Sequence, residues 1–211
     1  MKSTAGFLGV ACAWILMQGI AAGAALRKHA AGASCGLKEL IILTESQVEE
    51  SLTSFDEANG KHLGTWPPGF PELQVHQNSS PTGPKVQCSL HFMAQGLDRI
   101  LEDQKHNLNP KDGSLLEKLR DTTSRVRMLA ACVENSLGGK CSHSPPPPKM
   151  PKWAFERKQW SHTMLKSARS YLDWLRRNVA VQISKIKEAN KKKHKAKGTF
   201  LKYLRGSTHQ L

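Results

Sequence analysis

The chain has 211 residues, with 31 Lys and Arg against 17 Asp and Glu, which gives a formal net charge of +14. This length indicates one domain, or one domain with a tail. Its 16 Gly and 11 Pro follow no repeating period, which excludes a collagen-like fibre, and a single long apolar stretch excludes a multi-span membrane protein. The charge favours a polyanionic partner: nucleic acid, a heparin-like polymer or an anionic membrane.

The N-terminus has the pattern of a secretory signal peptide. Lys2 precedes an apolar segment at 6–20, and small residues follow at 21–24. A membrane anchor is the alternative, but it needs about 20 apolar residues. We therefore predict a signal peptide at 1–24, with a second candidate cleavage site at 31–33, and a secreted, extracellular mature chain.

Four cysteines remain in the predicted mature chain: Cys35, Cys88, Cys132 and Cys141. An even number in an oxidising compartment predicts two disulfides, for which three connectivities exist. The spacing lacks the paired ligands of a zinc site, so we predict no metal. Asn78-Ser79-Ser80 is an N-glycosylation sequon and a candidate surface loop.

Apolar residues recur with helical spacing in four segments and with strand-like alternation in none of comparable length. The first stripe, for example, runs Leu37, Ile41, Val48, Leu52 and Phe55. The pattern predicts an all-α protein with helices at about 37–58, 85–106, 114–137 and 152–188, in a helical domain at 25–184.

The connections between these helices differ in length. The segment 106–113 is short, which makes the second and third helices antiparallel neighbours, whereas 60–83 and 138–150 are long enough to run the length of a helix. One short turn between two long crossovers predicts an up-up-down-down four-helix bundle. An up-down-up-down bundle with long loops is the alternative.

The sequence contains no motif of an enzyme. G-x-S-x-G, H-E-x-x-H and the glycine-rich phosphate loops are absent, and the nine His are scattered. The acidic pairs Glu49-Glu50 and Asp56-Glu57 are more typical of a solvated helix face than of an acid–base site. We therefore expect a non-enzymatic protein without a cofactor.

Two stretches resemble the leukaemia inhibitory factor and oncostatin M family. The first is similar to the junction of the second and third helices in that family, and its matching residues are 103–105, 108–110, 114–115 and 118–119. The second, Trp153-Ala154-Phe155-Glu156-Arg157-Lys158, carries the F-x-x-K pattern at the start of the last helix. The resemblance spans roughly residues 35–185.

The resemblance implies a long-chain helical cytokine, a monomer that brings together receptor chains to start JAK-STAT signalling. The implied partners are a chain of the leukaemia inhibitory factor receptor or oncostatin M receptor type and one of the glycoprotein-130 type. Phe155 would be the aromatic anchor of the first contact, with Lys158 and Trp153 beside it and Trp66 and Phe70 completing the surface. The alternative is that Phe155 packs into the core.

The family's second receptor surface lies on the outer faces of the first and third helices. By position, it implies Glu45 and Glu49 on the first helix and Ser124, Arg125 and Met128 on the third. The alternative for each residue is that it simply lies on a solvent-exposed helix face without a partner. Of the five residues, an exposed Met128 would be the hardest to explain in that way.

The resemblance also implies a disulfide pairing, Cys35 with Cys132, which leaves Cys88 with Cys141. The chain departs from the family in one respect. The family has a cysteine in the last helix that bonds to the first long loop, whereas this chain has none at 159–162 or in that loop. We therefore expect a divergent member.

The segment from Lys185 to Arg205 holds nine Lys and Arg and one acidic residue, and thus most of the net charge. We expect this tail, 185–211, to be solvated or disordered. Its centre predicts binding to heparan sulfate-like polyanions through Lys191, Lys192, Lys193, Lys195 and Lys197. A solubilising or trimmed extension is one alternative, and a secreted polyanion- or membrane-binding peptide precursor is another. Since the charge is concentrated in the tail of a secreted chain, we predict no nucleic-acid partner.

Overall fold

The computed structural model describes residues 35–76 and 79–206, with the backbone alone at 186, 187 and 189–206. The predicted signal peptide at 1–24 and Asn78 lie outside this part. The described chain has four long helices and no strand, which confirms the all-α prediction. The helices are α1 Leu37–Asn59, α2 Gly83–Asp103, α3 Gly113–Leu137 and α4 Ala154–Gly206.

Local chemistry explains where the helices begin and end. The Asp112 carboxylate accepts a hydrogen bond from the Leu115 amide at 3.0 Å and so caps the start of α3. Pro84 occupies the first turn of α2, where its missing N–H costs nothing. α1 ends at Gly60 and α3 at Gly138, whose φ values of 106° and 73° suit glycine.

Two short elements complete the connections. A 3₁₀ turn at Pro71–Leu73 lies in the long loop between α1 and α2. α2 continues directly into a π-helical turn at Gln104–Leu108. In this turn, Asn109 donates to the Gln104 side chain at 2.7 Å and to the Asn59 side chain at 3.0 Å. The amide network ties the end of α1 to the α2–α3 connection.

The last helix is longer than expected. We predicted its end at about residue 188 and expected the tail at 185–211 to be solvated or disordered, whereas the backbone continues as α4 to Gly206. Lys, Ala, Arg and Leu all have high helix propensity, and Gly198 is the only helix-breaking residue between 154 and 205. Charge alone therefore does not end this helix.

The apolar stripes of the four helices meet in one core. α1 packs against α3 and α4, and α2 packs mainly against α3. The largest fully buried side chains include Trp160, Phe55, Met93, Leu119 and Leu165. Each stripe is thus buried against two neighbours, as in helical bundles generally.

Polar contacts join α1 to each of its neighbours. On the α3 side they link Gln47 to Arg125 at 3.1 Å, Ser51 to Thr122 at 2.9 Å and Ser54 to Lys118 at 2.6 Å. On the α4 side they link Glu45 to Arg176 at 2.8 Å, Glu49 to Arg169 at 2.5 Å and Asp56 to His162 at 3.5 Å. In both sets the residue numbers rise along α1 while they fall along the partner helix.

Both disulfides have the pairing implied by the family resemblance. Cys35 is bonded to Cys132, with Cα atoms 5.8 Å apart, and Cys88 is bonded to Cys141, with Cα atoms 5.1 Å apart. The first holds the start of α1 on α3, and the second holds α2 on the segment after α3. Closing chain separations of 97 and 53 residues restricts the unfolded chain and so favours the folded one.

Close backbone contact at the start of α2 requires a glycine. A Cβ atom at Gly83 would collide with the carbonyl oxygen of Gly138. That oxygen belongs to backbone at the end of α3 and cannot rotate away as a side chain could. The approach lets α2 and α3 meet closely beside the Cys88–Cys141 disulfide.

We expect Gly83→Ala to lower the free energy of unfolding by about 1–3 kcal/mol, because the added methyl forces the two backbones apart. Gly113→Ala is the matched control, since a Cβ there meets nothing within 4 Å. Urea unfolding followed by circular dichroism measures both. Equal stability of the two variants would contradict the proposed close contact.

Tyr171 provides a pH-dependent test of core packing. It is 2% exposed, its ring lies 5.4 Å from that of Trp174, and burial raises its pKa to about 12. The folded state holds the phenolic proton of Tyr171 more tightly than the unfolded state does. Its contribution to the stability of the fold is therefore complete below pH 10 and is lost as the pH rises from about 10 to 12. The difference in unfolding free energy between the wild type and Tyr171→Phe, measured across this pH range, should show this loss. A difference that does not change with pH would contradict it.

Candidate functional site

Two large aromatic side chains lie exposed where α4 begins. Trp153 is 73% exposed and Phe155 is 61% exposed, whereas Lys158, almost one turn later, is half-buried. The helix starts here because the Trp153 carbonyl accepts the Arg157 amide at 2.9 Å. The structure therefore places Phe155 on the surface and not in the core, and exposed aromatic clusters of this kind are typical of protein contact sites.

A buried ion pair fixes this first turn on the end of α2. Arg157 Nε lies 2.9 Å from Asp103 Oδ1, and the side chains are 20% and 3% exposed. Asn107 donates to the same carboxylate at 2.8 Å, and Arg157 Nη1 donates to the Lys152 carbonyl at 2.6 Å. Removal of either charge would leave the other largely buried without its partner.

An open cavity of about 850 Å³ lies beside the ion pair. Its walls come from the end of α2, the π turn, the proline run and α4, and they include Arg99, His106, Pro147, Met150 and Arg157. The cavity has room for side chains of a docking protein. Sequence reasoning missed it because its walls come from two parts of the chain, 99–107 and 146–157, that are distant in the sequence. The run Pro145–Pro148 was the one local signal.

Phe70 corrects one sequence prediction. It is 4% exposed and contacts Trp160 edge to face, with ring centroids 5.3 Å apart. It is therefore a core residue that a partner cannot touch. Trp66 is half-buried, and its amide donates to Thr163 Oγ1 at 2.8 Å, which keeps part of its side chain at the surface of α4.

The five residues predicted for a second surface fall into two groups. Glu45 and Glu49 form ion pairs with Arg176 and Arg169 of α4. Ser124, Arg125 and Met128 lie on α3, where Arg125 Nε donates to Gln47. The glutamates thus occupy the side of α1 that faces α4, and the expectation of one shared surface needs correction.

Of the two exposed apolar residues of α1, Leu43 lies on the side that faces α3, whereas Ile42 lies seven residues before Glu49 and therefore on the side of the glutamates. Ile42 is 45% exposed, Leu43 is 52% exposed, and Met128 on α3 is 54% exposed. Gln47 of α1 is hydrogen-bonded to Arg125 of α3, and the two helices run in opposite directions. Leu43 lies one turn before Gln47, and Met128 lies almost one turn after Arg125. Leu43 and Met128 therefore lie at the same level. The apolar run Leu40-Ile41-Ile42-Leu43, wider than one helical stripe, was the available signal.

The described part of the chain holds no cluster of three or more His, Cys, Asp or Glu placed to bind a metal ion. None of its helices combines the length and apolar composition needed to cross a bilayer. The side chains of the predicted polyanion-binding lysines, 191–197, lie outside the described part.

Comparison with family models, curated proteins and solved structures found no match to this chain. The function is therefore inferred from the surfaces described above and from the residue patterns of the chain itself.

The contrast between Phe70 and Phe155 predicts different effects on stability. Phe70→Ala should lower the free energy of unfolding by about 3–5 kcal/mol, because it opens a cavity against Trp160. Phe155→Ala should change it by at most about 0.5 kcal/mol, because the ring is largely in solvent. Chemical denaturation of both variants measures this, and a large loss in Phe155→Ala would show that this ring belongs to the core.

Proposed function

We propose that this protein is a secreted helical cytokine of the leukaemia inhibitory factor and oncostatin M type, which brings two receptor chains together. The observation that carries the proposal is the pair of exposed aromatics at the start of α4, of which Phe155 is the first residue of the F-x-x-K pattern. Phe155 supplies the aromatic anchor, and Lys158 supplies a charge on nearly the same helix face.

The proposal includes an up-up-down-down arrangement of the helices. The two sets of polar contacts on α1 support it, since the residue numbers of α3 and α4 both fall as those of α1 rise. The Asp103–Arg157 ion pair also supports it, because it joins the end of α2 to the start of α4. The two long connections have the lengths that such crossovers need.

Secretion is also part of the proposal. The two disulfides are typical of proteins that fold in an oxidising compartment. The signal-peptide pattern at 1–24 points in the same direction.

We assign the first receptor chain, of the leukaemia inhibitory factor receptor or oncostatin M receptor type, to the start of α4. A receptor pocket would cover Phe155 and Trp153, whose burial removes large apolar rings from water. The ion pair below holds the backbone in place, so little ordering would be needed on binding. Trp66 contributes from the adjoining loop.

We assign the second chain, of the glycoprotein-130 type, to the surface formed by α1 and α3. Leu43 and Met128 supply its apolar centre, and Arg125 and Ser124 supply polar groups beside it. Because this surface lies on other helices than the first, one cytokine molecule engages two receptor chains at once. Receptor-bound kinases are then brought close enough to start JAK-STAT signalling.

The double variant Phe155→Ala/Lys158→Ala should lose at least tenfold in binding to the first receptor chain, because it removes the anchor and its neighbouring charge. Binding to immobilised receptor ectodomains and STAT phosphorylation in responsive cells are the two readouts. Lys166→Ala/Val181→Ala is the matched control, since both residues lie exposed on the same helix. Normal signalling by the first variant, with unchanged stability, would overturn the assigned surface.

Truncation after Ser184 removes the basic tail and can be tested in the same receptor-binding experiment. It distinguishes the cytokine proposal from the alternative in which the tail is the active part. The cytokine proposal expects the truncated chain to keep its receptor binding and to lose retention on immobilised heparin. The peptide-precursor alternative expects it to lose all activity. A truncated chain that binds heparin as the full chain does would contradict polyanion binding by the tail.

A further inference from the structure

The last helix extends past the end of the bundle. Glu45 of α1 pairs with Arg176 of α4, and the two helices run in opposite directions. Leu37, where α1 begins, lies eight residues before Glu45 and is therefore level with Ser184, eight residues after Arg176. From there α4 continues for 22 residues to Gly206, a length of roughly 33 Å at 1.5 Å per residue.

The other two helices end or begin at the same level. The end of α3 lies there, since Cys132 is bonded to Cys35 directly before α1. α2 begins there, because Gly83 lies against Gly138, the residue after α3. It follows that, in the described part of the chain, no other helix accompanies α4 far beyond this level. The two side chains that the structure describes within 185–206 are both exposed, Lys185 and Glu188.

The helical backbone of this extension, 185–206, places its apolar residues on one side. With about 100° per residue, six apolar or aromatic positions fall within an arc of about 100°: Ile186, Ala189, Ala196, Phe200, Tyr203 and Leu204. This arc continues that of Met164, Ala168 and Leu175, which are fully buried in the core. The core-facing side of α4 therefore continues past the helices that cover it.

The cations of the extension lie mainly elsewhere on the helix. Of its nine Lys and Arg, five fall on the opposite arc: Lys187, Lys191, Lys195, Lys202 and Arg205. The other four lie within the apolar arc or beside it: Lys185, Lys192, Lys193 and Lys197. A basic side opposite an apolar side is typical of helices that lie in the plane of an anionic membrane surface.

We propose that the extension of α4 is an interfacial helix that binds an anionic lipid surface. Its apolar arc, richest at Phe200, Tyr203 and Leu204, enters the boundary between the headgroups and the acyl chains. Its lysines and arginine contact the negative charges of the headgroups, and the long lysine side chains beside the apolar arc reach the same layer.

The apolar arc distinguishes a lipid surface from the other partners that the charge alone would allow. A sulfated polysaccharide neutralises the cations but would leave the apolar arc in water. A second copy of the chain would cover the arc but bring a second set of like charges against the first, which is unfavourable. A lipid surface is the partner that suits both sides of the helix.

This activity goes beyond the proposed function and does not depend on it. Phe155 lies 31 residues before Ile186, roughly 46 Å along the same helix. Membrane binding by the extension would therefore leave the aromatic surface at the other end of α4 free.

Sedimentation of the chain 25–211 with lipid vesicles tests the proposal. Vesicles of phosphatidylcholine with about one quarter phosphatidylserine should bind the chain at least about tenfold more tightly than vesicles of phosphatidylcholine alone. The variant Phe200→Ser/Leu204→Ser should lose about tenfold or more in binding to the anionic vesicles and keep its retention on immobilised heparin, because it removes apolar groups and no charge. Its urea midpoint should not change, since both positions lie beyond the bundle.

Val181→Ser is the matched control, because Val181 is 57% exposed on the same helix but lies outside the apolar arc. Its binding to the anionic vesicles should equal that of the wild type. The emission of Tyr203→Trp, after subtraction of the wild-type spectrum, should shift to the blue when the anionic vesicles are added, as the ring leaves water.

Four outcomes would overturn the proposal. These are equal binding to both kinds of vesicle, retention on heparin without binding to the anionic vesicles, wild-type vesicle binding by Phe200→Ser/Leu204→Ser, and an equal loss of heparin and vesicle binding in that variant. Self-association that the same variant abolishes, in a chain that binds no vesicles, would assign the apolar arc to a second copy instead.

Discussion

The ion pair between Arg157 and Asp103 is the constraint on which the candidate surface depends. It joins the first turn of α4 to the last turn of α2, where the side chains of Arg157 and Asp103 are 20% and 3% exposed. Removal of either charge there would leave the other without its partner. Trp153 and Phe155 lie at the same end of α4 and are both largely exposed.

The α1–α2 loop, which adjoins the start of α4, is held without an ion pair of this kind. Hydrogen bonds from Gln159, His162 and Thr163 attach the α1–α2 loop, together with the burial of Leu63 and Phe70. The chain thus combines an exposed aromatic surface with an adjoining loop that is attached by hydrogen bonds and by buried apolar side chains.

The disulfides and the glycine contact act on the remaining helices. Cys35–Cys132 holds α1 on α3, and Cys88–Cys141 and Gly83 hold α2 close to the end of α3. α3 is consequently attached on both sides. A stable α1–α3 pair provides the fixed base on which Ile42, Leu43 and Met128 are exposed.

The sequence by itself determined the four helices, because the 3.6-residue apolar period and the turn residues are local properties. The family resemblance also implied the pairing of Cys35 with Cys132, which left Cys88 with Cys141, and the structure has both disulfides. Only the tertiary structure decided which side of a helix each polar residue faces. Glu45 and Leu43 are two residues apart, yet a rotation of about 100° per residue sends one toward α4 and leaves the other exposed. Likewise, Phe70 and Phe155 are the same residue type, yet Phe70 packs against Trp160 and Phe92 in the core whereas Phe155 lies exposed, because only packed neighbours remove a ring from water.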